Sequence, residues 1–380
     1  MTRRLFARAA HVVIDRFLLL PIGAVIALVW ANTAPEGYFT FTSRASFFVN
    51  EIGMAFFFAL LAQEVMEAVM PGGVLHSWRR WTLPVVAAAG GIAGSVGLYL
   101  GYVALTSEGS LYAAWPIACA IDVVVAYYVV RLIMPRSAAV PFVLLLAIVT
   151  DVVGMLIVAP RHLVINARVG GVALVVIALL AAFVLKRLRV RAFWPYLLFC
   201  GAVSWVAFYW EGLHPAFALI PIVPFLPHEP RRHLDVFADT PDDDAVHHSE
   251  HEWHLLVQPV VFLFGLVNAG VMFGGGYDYG SWAMFSAQVI GRPAGILAAV
   301  GLAVAAGLPL PGRLRWREMV VVALATSSGF AIALFLATGV LATGPVLAEA
   351  KLGVLGSAAG AGVAFAVAWL LKVGRLARAR

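Results

Sequence analysis

The chain has 380 residues, of which 62% are hydrophobic and only 12% charged, and its mean hydropathy is +0.93. That apolar share lies well above the roughly 45–50% of a soluble domain, so a water-soluble enzyme or a nucleic-acid-binding module is excluded and an all-α polytopic membrane protein is implied. The net charge of +6 needs no nucleic-acid partner, because lysines and arginines placed at the cytoplasmic ends of membrane spans account for it.

Apolar runs near the ~20 residues that cross about 30 Å of hydrocarbon predict twelve transmembrane helices, at 11–31, 46–69, 82–105, 112–134, 140–159, 169–185, 193–209, 213–225, 255–274, 282–308, 319–341 and 352–373. No soluble domain is left over, so 1–380 reads as a single polytopic domain in contact with membrane lipid. With the N-terminus inside, twenty basic residues fall on the cytoplasmic side, against four outside: Arg44, Arg161, Arg168 and Lys351. This bias places both termini in the cytoplasm. The opening TRRLFA resembles a twin-arginine export signal, but eleven further spans follow it, so Arg3, Arg4 and Arg8 read as cytoplasmic anchors.

In span two, Glu64 and Glu67 stand three apart on one helix face near the cytoplasmic end. They form either an acidic funnel that gathers cations or a pair that snorkels to the interface. Span three carries Gly90, Gly91, Gly94 and Gly97, small residues that let helix backbones approach closely.

Span four opens on Trp115 and Pro116 and reaches Asp122 six residues after the proline. A carboxylate at mid-membrane costs on the order of 2.5–3.5 kcal/mol on insertion scales and is kept where a partner or a task offsets it. The proline predicts a broken helix at this point, with Cys119 lining the break. Span five centres on Thr150, Asp151 and Gly154, with no basic residue within a turn of Asp151. A buried carboxylate in that setting binds either a proton or a small cation, which is the minimum chemistry of an antiporter.

Pro215, Pro221, Pro224 and Pro227 interrupt span eight. The polar loop at about 227–254 gathers six of the ten histidines beside many acids, and reads as a pH sensor, a metal site or a solvated connection. In span nine Asn268 is placed to bond across helices. Span ten holds Arg292 in VIGRPAGI; a guanidinium stays charged, so it is expected to balance Asp122, Asp151 or the negative end of a broken helix. Thr326, Ser327, Ser328 and Gly329 interrupt span eleven and predict a second broken helix, tolerated only where protein or water serves the freed backbone. Span twelve, AKLGVLGSAAGAGVAF, is a close-packing helix.

Taken together, WAN at 30–32, NEIGMAFFFALLAQEV, AAAGG near Gly90, AIDVVVA around Asp122, TDVVG at 150–154, GLHPA at 212–216, VNAGV around Asn268, GRPAGI at Arg292 and AKLGVLGS at Lys351 resemble the NhaA family of sodium/proton antiporters over most of the chain. The resemblance implies twelve helices with inverted repeats, the fourth and eleventh broken and crossing at mid-membrane. It further implies a bacterial inner-membrane location, a homodimer, and no cofactor beyond the transported ions. Asp122 matches the family's aspartate on the fourth helix. Asp151 matches the second of two adjacent aspartates on the fifth, the residue tied to binding Na+.

The pattern departs from the family in three places. Thr150 stands for the first adjacent aspartate, Arg292 for the tenth-helix lysine, and Glu64 and Glu67 for a larger charged cluster. In the family pattern a second titratable group supplies a second proton per sodium ion. Threonine and arginine supply none, so the expectation is exchange of one proton for one Na+ or Li+, electroneutrally, through Asp151. Two other readings accompany it. In a sodium-coupled organic anion symporter, Arg292 would face a substrate carboxylate. In an intramembrane aspartyl protease, the two aspartates would share the chemistry, although AIDVV and TDVVG do not resemble that family's motifs.

Overall fold

In the computed structural model, residues 19–69, 78–106, 108–135, 137–158, 169–190, 192–226, 245–275 and 277–377 are described. All regular elements among them are helical, as a chain with no water to serve its backbone requires. In chain order, α1 (Leu19–Thr33) and α2 (Pro35–Phe47) lead through a π-helical turn, Phe48–Gly53, into α3 (Met54–Val69). Next come α4 (Trp78–Thr106), a 3-10 arm (Gly109–Cys119), α5 (Val123–Ile133), α6 (Ala139–Val158) and α7 (Val169–Arg187). A second π-helical turn, Tyr196–Gly201, opens α8 (Ala202–Trp210), and α9 is Ala245–Asn268. The third π-helical turn, Ala287–Gly291, joins α10 (Tyr279–Ser286) to α11 (Arg292–Ala305). The chain continues through α12 (Trp316–Ala325), α13 (Phe330–Val340), α14 (Pro345–Ser357) and α15 (Ala359–Leu370).

Eleven of the twelve predicted spans fall, among the described residues, on apolar helices or bent helix pairs, four of them shorter than 18 residues. The eighth differs. From His214 to Leu226 the backbone amides mostly bond three residues back, in two 3-10 turns at Pro215–Phe217 and Val223–Phe225. Its prolines lack the donors that a regular α-helix needs. Span two begins earlier than predicted, because Pro35 sits in the first helical turn, where its missing N–H costs nothing. The histidine-rich segment is shorter as a loop than predicted. Helix α9 starts at Ala245, since no glycine or proline intervenes before Pro259 and a helix already formed extends cheaply. Residues 227–244 lie outside the described residues, as do Arg3, Arg4, Arg8 and the side chains of Glu64 and Glu67. Cys119 and Cys200 are buried and free.

The chain divides into two compact units, one within 1–76 and 159–270, the other within 77–158 and 271–380. In the first, α1 and α9 touch backbone to backbone. A Cβ on Gly23 would lie 2.3 Å from the Phe262 carbonyl oxygen, and one on Gly265 2.4 Å from that of Leu20. Asn268 exchanges two side-chain hydrogen bonds with Asn50, at 2.7 and 3.1 Å, as its place in an apolar span led us to expect. Close by in the chain, His214 Nδ1 lies 3.3 Å from Glu51 Oε2.

In the second unit the glycines of span three find their partner in α11 and the π-helical turn before it. A Cβ on Gly94 would sit 2.3 Å from the Gly291 carbonyl oxygen, and one on Gly295 2.1 Å from that of Gly90. Gly97 faces open space and takes no part. Two helix pairs in this unit are bent at a break, by 50° between the 3-10 arm and α5 and by 42° between α12 and α13.

Candidate functional site

The two breaks of the second unit lie against each other. Asp122 N–H donates to the Ser328 carbonyl at 2.8 Å, which ties the start of α5 to the interruption before α13. The first break falls at Ala120–Asp122, where Ala120 turns extended. Pro116 lies inside the 3-10 arm. Asp122 is the N-cap of α5: its Oδ1 accepts from Val125 N–H at 2.9 Å, while Oδ2 accepts from Ala331 N–H in the first turn of α13 at 3.1 Å. One carboxylate thus serves two helix N-termini, where partial positive charge gathers.

The opposite ends converge on Arg292. This residue is fully buried and begins α11. Its guanidinium donates to the Thr326 carbonyl at 3.2 Å and to the Ala118 carbonyl, at the C-terminal ends of α12 and of the 3-10 arm. Arginine's planar fork reaches both at once. Of the three partners the sequence offered Arg292, its hydrogen bonds go to the negative helix ends, and Asp151 lies within its field.

Asp151 is also fully buried. The Ile121 amide, Asp122 and Arg292 lie beside it, yet neither of its oxygens closes a hydrogen bond. Thr150 directs its hydroxyl to the Leu146 carbonyl of its own helix, at 2.8 Å. Cys119 is buried within the field of Arg292. The Thr326 hydroxyl bonds back to Ala323, whereas the hydroxyls of Ser327 and Ser328 are buried without a partner. Gly329 is held at 3.4 Å by the Ser357 hydroxyl. Asp122, Asp151, Arg292, Cys119, Thr326 and Gly329 are therefore brought to one place, whereas the Ser327 side chain packs against Gly360. Thr150 is adjacent but satisfied within its helix.

Sequence reading passed over Gln288 and Ser357. Gln288 is fully buried and its Oε1 has no hydrogen-bond partner. The available signal was its position four residues before Arg292, hence on the same helix face. Among the described residues no group of three or more His, Cys, Asp or Glu side chains is arranged to hold a metal ion. The buried side-chain oxygens without a partner among the described residues of this unit belong to Asp151, Gln288, Ser327 and Ser328, all hard donors.

Paired helix breaks with a polar, charged centre inside an apolar helical body define a secondary transporter. A family model described as "Na+/H+ antiporter 1" matches residues 15–370. The "Na(+)/H(+) antiporter NhaA" of Desulfitobacterium hafniense (strain DSM 10664 / DCB-2) is 38% identical over 369 residues, covering 93% of this chain and 94% of that one. The protein of the same description from Geobacter metallireducens is 36% identical over 368 residues, covering 93% and 95%. The structure of the sodium proton antiporter MjNhaP1 from Methanocaldococcus jannaschii has the same fold, with a TM-score of 0.56 at 14% identity, covering 96% of this chain and 92% of that one. The chain belongs to the Na+/H+ antiporter 1 family, and is an integral membrane transporter rather than an enzyme.

Proposed function

We propose that this protein exchanges Na+ or Li+ for H+ across a bacterial cytoplasmic membrane, with both termini inside, and that Asp151 alone carries either ion, one proton for one cation. The observation behind this reading is the unpartnered pair of Asp151 oxygens in a fully buried side chain. Two chemical species can satisfy such a group, a proton or a small cation, and they exclude each other. Asp122 has both oxygens committed to backbone amides, so it acts as a fixed counter-charge for two helix ends where the broken helices cross. Arg292 does the same for the opposite ends and gives up no proton. Summed over Asp122, Asp151 and Arg292, the centre carries one net negative charge, which either cargo cancels.

Neither alternative gains from this geometry. Two arms of the guanidinium already go to backbone carbonyls, and both Asp122 oxygens already accept backbone amides, so neither group is held as a substrate clamp or a protease dyad would hold it. The test is Na+-driven proton flux in proteoliposomes carrying a fluorescent pH dye. Flux in the wild type that is absent in Asp151→Asn and indifferent to clamped voltage is expected. Should sodium-loaded liposomes develop a voltage during exchange, the one-for-one stoichiometry is wrong.

A further inference from the structure

Gln288 stands in the π-helical turn Ala287–Gly291, one turn before Arg292 on the same face. Its side chain ends at the junction of the two breaks. A Cβ on Gly329 would lie 2.6 Å from Gln288 Nε2 and 2.8 Å from the Ala120 carbonyl oxygen, so amide, Gly329 and Ala120 meet at one point. Ala120 is followed directly by Ile121, whose amide faces Asp151, and by Asp122. The lack of a side chain at Gly329 thus makes room for the amide.

That amide is poorly served by the protein. Nε2 has only the Met284 thioether, at 3.9 Å, and Oε1 has nothing. Whichever way the group is turned, one terminal atom faces sulfur and the other is orphaned. Buried polar atoms of native proteins are almost always paired, and an unpaired one carries its full desolvation cost. The hydroxyls of Ser327 and Ser328, just before Gly329, are orphaned too. The Ser327 hydroxyl lies toward Gly360, whereas the unserved carboxylate of Asp151 is reached from Ala120 through the Ile121 amide.

We infer that Gln288 is a specificity-determining residue of the transport site, supplying a neutral carbonyl oxygen, directly or through one water, to the cation held by Asp151. This rests on the reading of Asp151 as the carrier and extends it. An uncharged ligand adds coordination without altering the one-negative balance of the centre, as a second carboxylate would. Discrimination between small monovalent cations depends on the number and field strength of such oxygens, so Gln288 sets the preference between Na+ and Li+, while Asp151 sets whether exchange occurs.

The experiment compares the wild type with Gln288→Leu, Gln288→Met, Gln288→Asn and Asp151→Asn in proteoliposomes, recording half-saturating NaCl and LiCl separately from maximal rate. Calorimetric titration of the same detergent-purified proteins with each salt gives binding without turnover. Methionine keeps the side-chain length and removes the oxygen, and replaces leucine in the comparison if Gln288→Leu does not fold. The expected result is a roughly tenfold rise in half-saturating Na+, a changed Na+/Li+ ratio in both assays, a maximal rate within about twofold of wild type, and partial recovery in Gln288→Asn. An unchanged ratio with an equal fall in rate for both ions would make Gln288 a packing residue and overturn the inference. Flux that survives in Asp151→Asn overturns the underlying carrier reading instead, whatever the Gln288 variants do.

Discussion

Asp122 and Ala331 are 209 positions apart in sequence and joined by a 3.1 Å hydrogen bond from the Ala331 amide to the Asp122 carboxylate. The bond makes Asp122 a shared cap for α5 and α13, and its loss is felt at both. Asp122→Asn retains one acceptor oxygen and turns an NH2 toward the other amide. We expect a loss of about 1–3 kcal/mol, the cost of a buried donor left without acceptor, together with at least a tenfold fall in flux. Thermal unfolding in detergent and proteoliposome flux measure the two.

Arg292→Lys keeps the charge but not the fork. An ammonium on a flexible stem does not reach the Ala118 and Thr326 carbonyls in arginine's geometry, so stability is expected to fall by about 1–3 kcal/mol. Lysine also releases a proton where arginine does not. If the one-for-one stoichiometry follows from the missing second titratable group, this variant should generate a transmembrane voltage during exchange, read with a potential-sensitive dye. Exchange that stays voltage-free in a folded, active Arg292→Lys would disconnect the arginine from stoichiometry.

Asp151→Asn separates transport from folding. Of backbone amides, only that of Ile121 lies beside the native carboxylate, without closing a hydrogen bond, and asparagine keeps an oxygen for it, so thermal stability should stay near that of the wild type while Na+ binding disappears. In the wild type, proton and cation compete for the same oxygens. Below the carboxyl's own titration range each unit fall in pH should raise half-saturating Na+ about tenfold, as for any ligand that must deprotonate first. A half-saturating concentration indifferent to pH would contradict a shared site.

The glycine seam between α4 and α11 offers a stability test that does not touch the carriers. Gly94→Ala would place a methyl 2.3 Å from the Gly291 carbonyl oxygen and should cost about 1–3 kcal/mol by overpacking. Gly97→Ala, with open space before it, should be neutral or slightly stabilising, since alanine is the better helix former. Equal melting temperatures for the two variants would deny the seam.

Much of this site could be read from sequence because charge in an apolar span is costly and therefore conspicuous. Asp122, Asp151 and Arg292 announced themselves in that way, and TSSG at 326–329 announced a break through its small polar residues. Hydropathy gave the spans but not their faces or partners, so the glycines of span three were assigned to packing without α11 being named. Gln288 escaped notice because an amide near a span end looks like an interfacial residue. Its place four residues before Arg292 was a signal of direction, but the π-helical turn that carries it leaves no hydropathy trace. The 3-10 backbone at 214–226 was half visible, through its prolines, but their effect on helix type was not.

The seam has one further consequence. Gly291 and Gly295, which interlock with Gly94 and Gly90, bracket Arg292 in the chain. The height of the guanidinium along the bundle is therefore gauged by α4, a helix that contributes no polar group to the site. A methyl added at Gly94 would jack the arginine away from the two carbonyls it bridges, so a substitution among residues that bind nothing should detune the electrostatics of ion exchange before it unfolds the protein.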